Sequence, residues 1–421
     1  MIKIKNLQCG LRLVTEELPY VKSVSVGVWV RAGAVFETPR NAGISHYIEH
    51  MLFKGTEKRS AKQIAEDVDR IGGQINAFTG KEATCYYMKT LSTNFAKGAE
   101  ILSDMLLNSQ FAKEEMDKER HVICEEIKMN EDSPEDVAHD LICEEVFHGS
   151  SLAKNVIGTP SSLKTVSSAT MRAYMKRLYT KENILLSVAG NFDEAAVCET
   201  LERLFESLPS GTPDLTLYAA DYTPRFRSKV KDIEQSHICI GTKSIALEDE
   251  RYYSLSVLNN IMGSSMSSRL FQNIREQKGL AYAVYSANNS FSGDGFFNIY
   301  AGVSHDKVKK AVEGILEELL ALKKDGVTED ELATAKEQMK GQYIFSQENV
   351  NGRMFSIGKN MLLLNRVYTP EEIMEKLDNV SMEQVRGVSG LITDPDAYTG
   401  VLVGGKRQSM KELMRRFTLA V

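Results

Sequence analysis

A short run of residues, His46-Tyr-Ile-Glu49-His50, carries the strongest chemical signal in the sequence. A helix over 43–53 would place its apolar side chains on one stripe, with the two histidines and Glu49 on the opposite side. Two histidines four residues apart on a helix can share one metal ion, because their side chains lie about one turn apart. Glu49 lies next to them, where its carboxylate can reach a water on that ion.

The order of these residues, H-x-x-E-H, is the inverted form of the H-E-x-x-H motif of zinc proteases. The competing interpretation is a surface helix that carries two histidines by chance. The two interpretations differ in what the rest of the chain must provide. A catalytic zinc needs a third protein ligand and leaves one position for water.

A second predicted helix, over 113–130, offers that third ligand. Glu119 and Glu126 are seven residues apart and fall on its apolar face. Carboxylates on an apolar stripe are costly to bury unless they are paired or bound to a cation. Glu125 points sideways on this helix, so we expect Glu126 to be the ligand. The alternative is that Glu119 and Glu126 form ordinary salt bridges with arginines.

The elements that must position these residues alternate between strands and helices. Asn6–Glu17 and Val24–Ala32 alternate apolar and polar residues as strands do, whereas 61–71 has the period of an amphipathic helix. Some neighbouring strands are close enough along the chain to form hairpins. This pattern favours an α+β fold, with helices packed on a mixed, largely antiparallel β-sheet.

The order of elements repeats after a stretch rich in proline and glycine that begins at Pro209. Val24–Val28 has a counterpart in His237–Gly241, and the other matches keep an offset of roughly 213 to 216 residues. The sequence therefore predicts two homologous domains. We expect an N-terminal catalytic domain with the metal site at 1–208, a linker at 209–230 and a C-terminal domain without the site at 231–421.

The second half does not repeat the chemistry of the first. It contains no H-x-x-E-H motif, and Ala335 and Gln342 stand where the offset would place counterparts of Glu119 and Glu126. One copy of a duplicated fold has kept its frame without the site. This contrast indicates that the residues of the first half form a functional set.

Composition restricts the function further. The formal net charge is -6, charges of both signs are mixed along the chain, and this argues against nucleic acid as the main partner. We expect no membrane segment, because no apolar stretch approaches the length needed to span a bilayer. The N-terminus does not resemble a signal peptide. The 6 cysteines are scattered, with no C-x-x-C pair, which predicts reduced thiols in a cytoplasmic protein.

Beyond these arguments, the whole chain resembles the inverted-motif zinc peptidases of the pitrilysin, insulin-degrading enzyme and mitochondrial processing peptidase family. The metal motif carries this resemblance, together with segments typical of the processing-peptidase branch. Those segments are His50-Met-Leu-Phe-Lys-Gly-Thr56, Ile75-Asn-Ala-Phe-Thr79, Met266-Ser-Ser-Arg-Leu-Phe271 and Arg275-Glu-Gln-Lys-Gly-Leu-Ala-Tyr282.

For the metal, the resemblance implies one zinc ion per chain, held by His46, His50 and Glu126. It implies that Glu49 is the general base, which takes a proton from water during attack on a peptide carbonyl. It also implies a supporting catalytic role for Glu119 beside the ligands. No motif residue typical of active members is missing. The expected activity is that of a zinc metalloendopeptidase.

For the substrate, the resemblance implies that the strand at Asn76 and Ala77 pairs with an extended peptide or unfolded segment. Arg275 and Tyr282 would hold that substrate from the other side of a chamber, and Tyr282 could hydrogen-bond the developing oxyanion. The alternative without a functional role is that Arg275 is a surface arginine and that Tyr282 is a core tyrosine at the start of a strand. Because the chain has half the length of some relatives, we expect a homodimer that closes as a clamshell.

Two other functions remain open at this point. The first is a non-catalytic peptide-binding subunit that retains a zinc site. A structural zinc would require a fourth protein ligand, and His121 is on the wrong face of its helix to supply it. The glycine-rich loop of non-catalytic processing subunits is not evident either, since Met262-Gly-Ser-Ser265 is a poor substitute. The second is a zinc hydrolase that acts on a non-peptide amide.

Overall fold

In the computed structural model, which describes residues 2–405 and 408–418, the chain forms two compact units. Each unit is assembled from three separate segments. The first unit comprises the chain up to Ile127, Lys154–Leu217 and Ile344–Thr369. The second comprises Lys128–Ala153, Tyr218–Tyr343 and the chain from Pro370 onward.

Strands form one sheet in each unit. Those of the first unit are β1 (Ile2–Asn6), β2 (Arg12–Glu17), β3 (Ser23–Val30), β4 (Gln74–Thr79), β5 (Thr84–Leu91) and β6 (Ile184–Gly190). Those of the second are β7 (Phe226–Val230), β8 (Gln235–Lys243), β9 (Ala281–Phe291), β10 (Asp294–Ser304) and β11 (Thr399–Gly404).

Helices fill the intervals between the strands. In the first half they are α1 (Ile44–Leu52), α2 (Ala61–Arg70), α3 (Phe95–Asn108), α4 (Lys113–Asp132), α5 (Pro134–Val146), α6 (Pro160–Leu163), α7 (Ser168–Leu178) and α8 (Glu194–Phe205). In the second half they are α9 (Tyr252–Asn259), α10 (Val308–Asp325), α11 (Glu329–Gln347), α12 (Val350–Leu364), α13 (Pro370–Asp378), α14 (Met382–Ser389) and α15 (Met410–Thr418). Asn260–Ser264 and Phe271–Gln277 are π-helical, and short 3₁₀ turns lie at Ala34–Phe36, Ser92–Asn94, Ser151–Ala153 and Pro395–Ala397.

The two sheets have the same topology. Their strand orders are β1-β2-β6-β3-β5-β4 and β7-β11-β8-β10-β9. Without β1, the orders match strand for strand. In both sheets the first pair of this shared order, β2 with β6 and β7 with β11, is parallel, and the other pairs are antiparallel. The structure thus confirms the predicted α+β fold on mixed, largely antiparallel sheets.

Equivalent local devices support the duplication. Ser167 caps α7 and Ser381 caps α14, each in a capping box with the residue three positions later. In a capping box, two otherwise unpaired donors at the helix start are satisfied reciprocally. Both serines follow a valine, Val166 and Val380, at an offset of 214 residues. The repeat thus preserves a helix start as well as a strand order.

One helix of each half of the sequence packs on the sheet formed by strands of the other half. Helix α12, from the second half of the sequence, packs on β3 and β6, and α5, from the first half, packs on β8 and β11. In the first unit, Ile357 and Met361 of α12 join the core around Trp29. Gly358 allows this approach, since a Cβ there would lie 2.1 Å from Trp29 Nε1.

The boundaries of the two compact units therefore differ from the boundaries of the sequence repeat. The division into 1–208, 209–230 and 231–421 follows the repeat and stays a prediction about domains. Within the segment that it assigns to the linker, 209–225 has no helix or strand and Phe226–Val230 forms β7.

Candidate active site

Helix α1 begins on a buried carboxylate. Gly43 at its N-terminus has a left-handed φ of 85°, and the backbone N–H groups of Gly43 and Ser45 donate to Glu37 at 2.6 Å and 2.9 Å. A negative charge is favourable where a helix has unpaired donors. Burial nevertheless raises the pKa of Glu37. Glu37 thus fixes the start of the helix one turn before the motif.

The predicted apolar stripe of α1 is buried in the first unit. Ile44, Tyr47, Ile48, Met51 and Leu52 are each at most 1% exposed. The Tyr47 hydroxyl donates to the carbonyl of Met116 in α4. Burial raises the pKa of Tyr47 to about 12, so this hydroxyl stays a donor near neutral pH. The contact ties the motif helix to the helix that carries Glu119 and Glu126.

His46, His50 and Glu126 converge at one point of the first unit. Each offers one ligand atom, and these atoms lie within 4.8 Å of one another. Glu126 Oε2 lies 3.6 Å from His46 Nε2 and 3.7 Å from His50 Nε2. These separations are too long for hydrogen bonds. They are close to the roughly 3.3–3.6 Å between two tetrahedral zinc ligands that each lie about 2.0–2.2 Å from the ion.

The donor set fits a divalent metal of zinc type. Two imidazole nitrogens and one carboxylate oxygen form a recognised catalytic zinc set, with a position left for water. Burial, with a smaller contribution from the neighbouring His50, lowers the pKa of His46 to about 4. The imidazole is therefore neutral at pH 7, and neutral imidazole is the form that binds metal.

Glu119 lies behind His50 and is only 5% exposed. Its Oε2 is 3.0 Å from His50 Nδ1, and its Oε1 is 2.8 Å from Lys54 Nζ. The expected alternative, that Glu119 and Glu126 pair with arginines, is wrong in the described part of the chain, where their ion pairs are with the two histidines and Lys54.

Glu49 is held at the end of β4. The hydroxyl of Thr79, the last residue of that strand, donates to Glu49 Oε2. Burial raises the pKa of Glu49, although the Thr79 hydrogen bond and the nearby His50 act in the opposite direction. A raised pKa brings a carboxylate closer to the range in which it can exchange protons near neutral pH.

Strand β4 is an open sheet edge that runs toward Glu49. It is the last strand in the order of its sheet and contains no charged residue. The backbone N–H of Ala77 donates to the side chain of Asn76 at 2.8 Å. The opposite edge, β1, carries Lys3 and Lys5, which pair with Glu194. Charged residues at an edge discourage strand addition, so β1 is less open to an added strand than β4.

Arg275 and Tyr282 adjoin each other in the second unit. The Arg275 guanidinium lies 5.4 Å from the ring centre of Tyr282 and 4.6 Å from that of Phe271. Tyr282 is 77% exposed, so the alternative that it is a core tyrosine is wrong. Arg275 lies in a π-helical stretch, and such bulges are frequent at functional sites.

Sequence reasoning missed three residues that position the site. Lys54 and Thr79 stood only within segments that carry the family resemblance, and Glu37 belonged to no motif. The sole signal for Glu37 was a carboxylate within a few residues of a helix start.

No helix among residues 2–405 and 408–418 has the length and apolar character required to cross a membrane.

Comparison with known proteins adds family information to this geometry. Residues 12–160 match the sequence profile described as insulinase, peptidase family M16, and residues 165–339 match that of the peptidase M16 inactive domain. The chain is 43% identical over 389 residues to the uncharacterized zinc protease YmxG of Bacillus subtilis, covering 92% of this chain and 95% of the relative. It is 36% identical to an uncharacterized zinc protease of Streptomyces coelicolor, with coverage of 92% and 86%.

Solved structures share the fold at low sequence identity. A peptidase M16 inactive domain from Pseudomonas fluorescens superposes with a TM-score of 0.90 at 16% identity, covering 97% of this chain and 98% of that one. A protease from Helicobacter pylori gives a TM-score of 0.88 at 22% identity, with coverage of 96% and 99%. A chain of complex III2 from Candida albicans gives 0.86 at 19% identity, with coverage of 99% and 100%.

Proposed function

This chain belongs to the insulinase family of peptidases, family M16, and from that premise we propose that it is a zinc-dependent endopeptidase. Membership confirms the resemblance found in the sequence. The observation that carries the proposal is the convergence of His46, His50 and Glu126 beside Glu49. Relatives named zinc proteases support the choice of metal.

In this proposal each side chain of the site has one task. His46, His50 and Glu126 hold a single zinc ion, which when bound supplies Lewis acidity toward a water and a peptide carbonyl. Glu49 takes a proton from the attacking water and passes it to the leaving amine. Thr79 orients the Glu49 carboxylate through its hydroxyl. Glu119 orients the His50 ring through Nδ1.

The open edge of β4 supports an extended peptide as the substrate. A peptide that adds to this edge would use main-chain hydrogen bonds, so its sequence preference should be loose. Asn76 also contributes, because its side chain accepts the Ala77 N–H in the absence of a peptide. We propose that an incoming peptide carbonyl replaces this self-contact, which keeps the donor satisfied in both states.

We further propose that two chains form a homodimer and that Arg275 and Tyr282 of one chain serve the zinc site of the other. Neighbouring cationic and phenolic groups of this kind suit a carbonyl oxygen that becomes negative, and Tyr282 is exposed enough to reach a ligand. A cytoplasmic location is part of the proposal, since none of the six cysteines is in a disulfide, as expected in a reducing compartment.

The competing function is a non-catalytic subunit that binds peptides and keeps a metal. It is raised by the solved neighbours, one described as an inactive domain and one as part of a larger complex. The complete motif and the hydrogen-bonded Glu49 favour catalysis, because a purely structural metal has no use for a positioned base.

A peptide-cleavage assay tests the proposal directly. The purified chain is incubated with a random peptide library, and products are mapped by mass spectrometry with and without a zinc chelator. We expect internal cleavage that the chelator abolishes and added zinc restores. Peptide binding without cleavage would support the non-catalytic function, and hydrolysis of only non-peptide amides would overturn the assignment of substrate.

The substrate class has its own test. A compact protein without disulfides and the same protein unfolded are offered at equal concentration. We expect the unfolded form to be cut much faster, because a substrate must lie extended along β4. Equal rates for the two forms would count against an edge-binding mode.

A further inference from the structure

Lys54 directly follows helix α1 and reaches the carboxylate behind His50. Its Nζ lies 2.8 Å from Glu119 Oε1, and the two side chains are 30% and 7% exposed. Charge-assisted contacts at this distance are strong, particularly where water is partly excluded. This ion pair joins Lys54 to Glu119, the residue that in turn contacts His50.

The backbone of Lys54 is fixed from both sides. Its N–H donates to the carbonyl of Met51 at 3.0 Å, and the next residue, Gly55, accepts a hydrogen bond from Gln110. Thr56 donates through its hydroxyl to Asp104 at 2.8 Å. The loop after α1 is thus bonded to α3 and to the segment that leads into α4, which limits the entropy lost when Lys54 meets Glu119.

Glu119 divides its two oxygens between two partners. Oε1 faces Lys54 and Oε2 faces His50 Nδ1. Without the ammonium, a buried carboxylate would lose its counter-charge, and such a group moves toward water or rotates away from its remaining partner. Either response weakens its acceptance of a hydrogen bond from His50.

We propose that Lys54 is a positioning residue that sets the tautomer and orientation of His50 through Glu119. With Nδ1–H donated to Glu119, the Nε2 atom of His50 is the free nitrogen, and it is the one that faces Glu126. The inference rests on the proposed zinc function, and it assigns the preparation of one ligand to a residue outside the ligand set.

The two histidines differ in this respect. Nδ1 of His46 is buried without a hydrogen-bond partner in the described structure, whereas Nδ1 of His50 has Glu119. Hydrogen-bonded partners of metal-bound histidines raise ligand basicity and fix the ring. The Lys54–Glu119 pair therefore acts on one histidine, and its loss should affect metal affinity more than the fold.

The test compares Lys54→Met, which keeps the length of the side chain, with Lys54→Arg, which keeps its charge. Zinc affinity is measured by competition with a chelator, and the His50 tautomer of the metal-free protein is read from ¹⁵N chemical shifts. We expect Lys54→Met to bind zinc about 10-fold more weakly, at the lower end of the effect of such partners, and to lose the single Nδ1–H tautomer of His50. Lys54→Arg should restore most of both.

Two controls separate this role from general destabilisation. Lys62→Met removes another lysine, 85% exposed and paired with Glu66, and should leave zinc affinity unchanged. In a Glu119→Gln background, Lys54→Met should change affinity less than 2-fold, since the residue through which it acts is altered. Thermal unfolding of each metal-free variant identifies any loss of fold.

The outcomes are decisive for the positioning role. Unchanged zinc affinity and an unchanged His50 tautomer in Lys54→Met would overturn it, as would the same loss of affinity with and without Glu119. Failure of the proposed function is distinguishable, because the unsubstituted chain would then bind no zinc or would cleave no peptide while binding it.

Discussion

The two units carry the same strand order but different helix faces beside it. In the first, α1 and α4 supply His46, His50 and Glu126, which converge, and Glu49 and Glu119 beside them. In the second, α9 and the π-helical stretch after it contain neither histidine nor glutamate. Helix α11 carries Ala335, which is 2% exposed, where the repeat places a counterpart of Glu119.

A depression of the second unit lies where the repeat would place counterparts of the metal ligands. It is lined by Asn260, Ser268, Asp330, Glu331, Thr334 and Ala335, among others, and Glu331 is paired with Arg269. Hydroxyls and amides can be satisfied by water, whereas a group of carboxylates and imidazoles is stable only with a cation or with each other. The duplicated fold therefore needs only the sheet and its helices, and the charged residues of the first unit have a separate purpose.

The largest effect should come from removing the base of the first unit. Glu49→Gln keeps the shape of the side chain but cannot take a proton, so cleavage should fall by about 10²–10⁴-fold. Zinc content, measured by elemental analysis, should stay near that of the unsubstituted chain. The matched control is Gln342→Ala in the second unit, which should leave both quantities unchanged. Loss of activity in the control would break the contrast between the units.

The next effect concerns the third ligand. Glu126→Gln should weaken zinc binding by about 100-fold or more, since a carboxylate ligand is replaced by a neutral amide. Its neighbour Glu125 is exposed, and Glu125→Gln should keep the metal. The roles assigned to Glu49 and Glu126 would be reversed if Glu49→Gln emptied the site and Glu126→Gln left it full.

Mixed dimers test whether the two units act across chains, because the zinc site of one chain is proposed to need groups from the second unit of the other chain. Glu49→Gln and the double variant Arg275→Ala with Tyr282→Phe should each be inactive. After subunit exchange, about a quarter of sites should regain activity, since half of the dimers are mixed and each holds one complete site. No recovery after confirmed exchange would show that Arg275 and Tyr282 do not act across a dimer.

Protein stability can test how closely α12 packs on the sheet of the first unit. Gly358→Ala places a methyl group 2.1 Å from Trp29 Nε1, which donates to Ser187 at 2.9 Å. Overpacking of this kind should cost about 1–3 kcal/mol in the free energy of unfolding, measured with denaturant. Gly387→Ala, in α14, meets no atom within 4 Å and should be neutral or stabilising by about 0.5–1 kcal/mol. Equal effects would contradict the close packing.

The smallest effect is expected on the pH dependence of stability, through a buried histidine of the second unit. Burial lowers the pKa of His139, which contacts Tyr285 at 2.7 Å. Between the unfolded pKa near 6.5 and the lower folded pKa, the unfolded chain binds more protons, so stability falls as pH falls. The drop in Tm from pH 7 to pH 5 should be smaller in His139→Gln. His121→Gln, an exposed control on α4, should not change it.

Much of the fold was predictable from periodicity. The α+β class, the repeat and most elements near the site follow from apolar spacing and capping residues. Two features did not. Asn6–Glu17 was expected to be continuous strand, but a turn with Gly10 at φ 93° separates β1 from β2. The exchange of α5 and α12 was also missed, because a helical period shows that a face is buried and not which sheet buries it.

The site divides in the same way. The grouping of His46, His50 and Glu126 was predictable because each residue has a chemical type and a helical position that make sense only together. The contacts of Lys54, Thr79 and Glu37 were not. Each depends on a turn or a strand end, where one residue of register decides what the side chain meets. Their types are also common in roles without any chemistry.

The exchange of α5 and α12 has a consequence for how the polypeptide acquires its structure. The sheet around Trp29 cannot be covered until α12 has been synthesised, far downstream of β6. Contacts between distant parts of a chain form slowly, and exposed apolar sheet surface promotes association in the meantime. A ribosome-released fragment that stops after Leu208 would keep this surface open. Chaperone dependence should therefore be greater for such a fragment than for the whole chain.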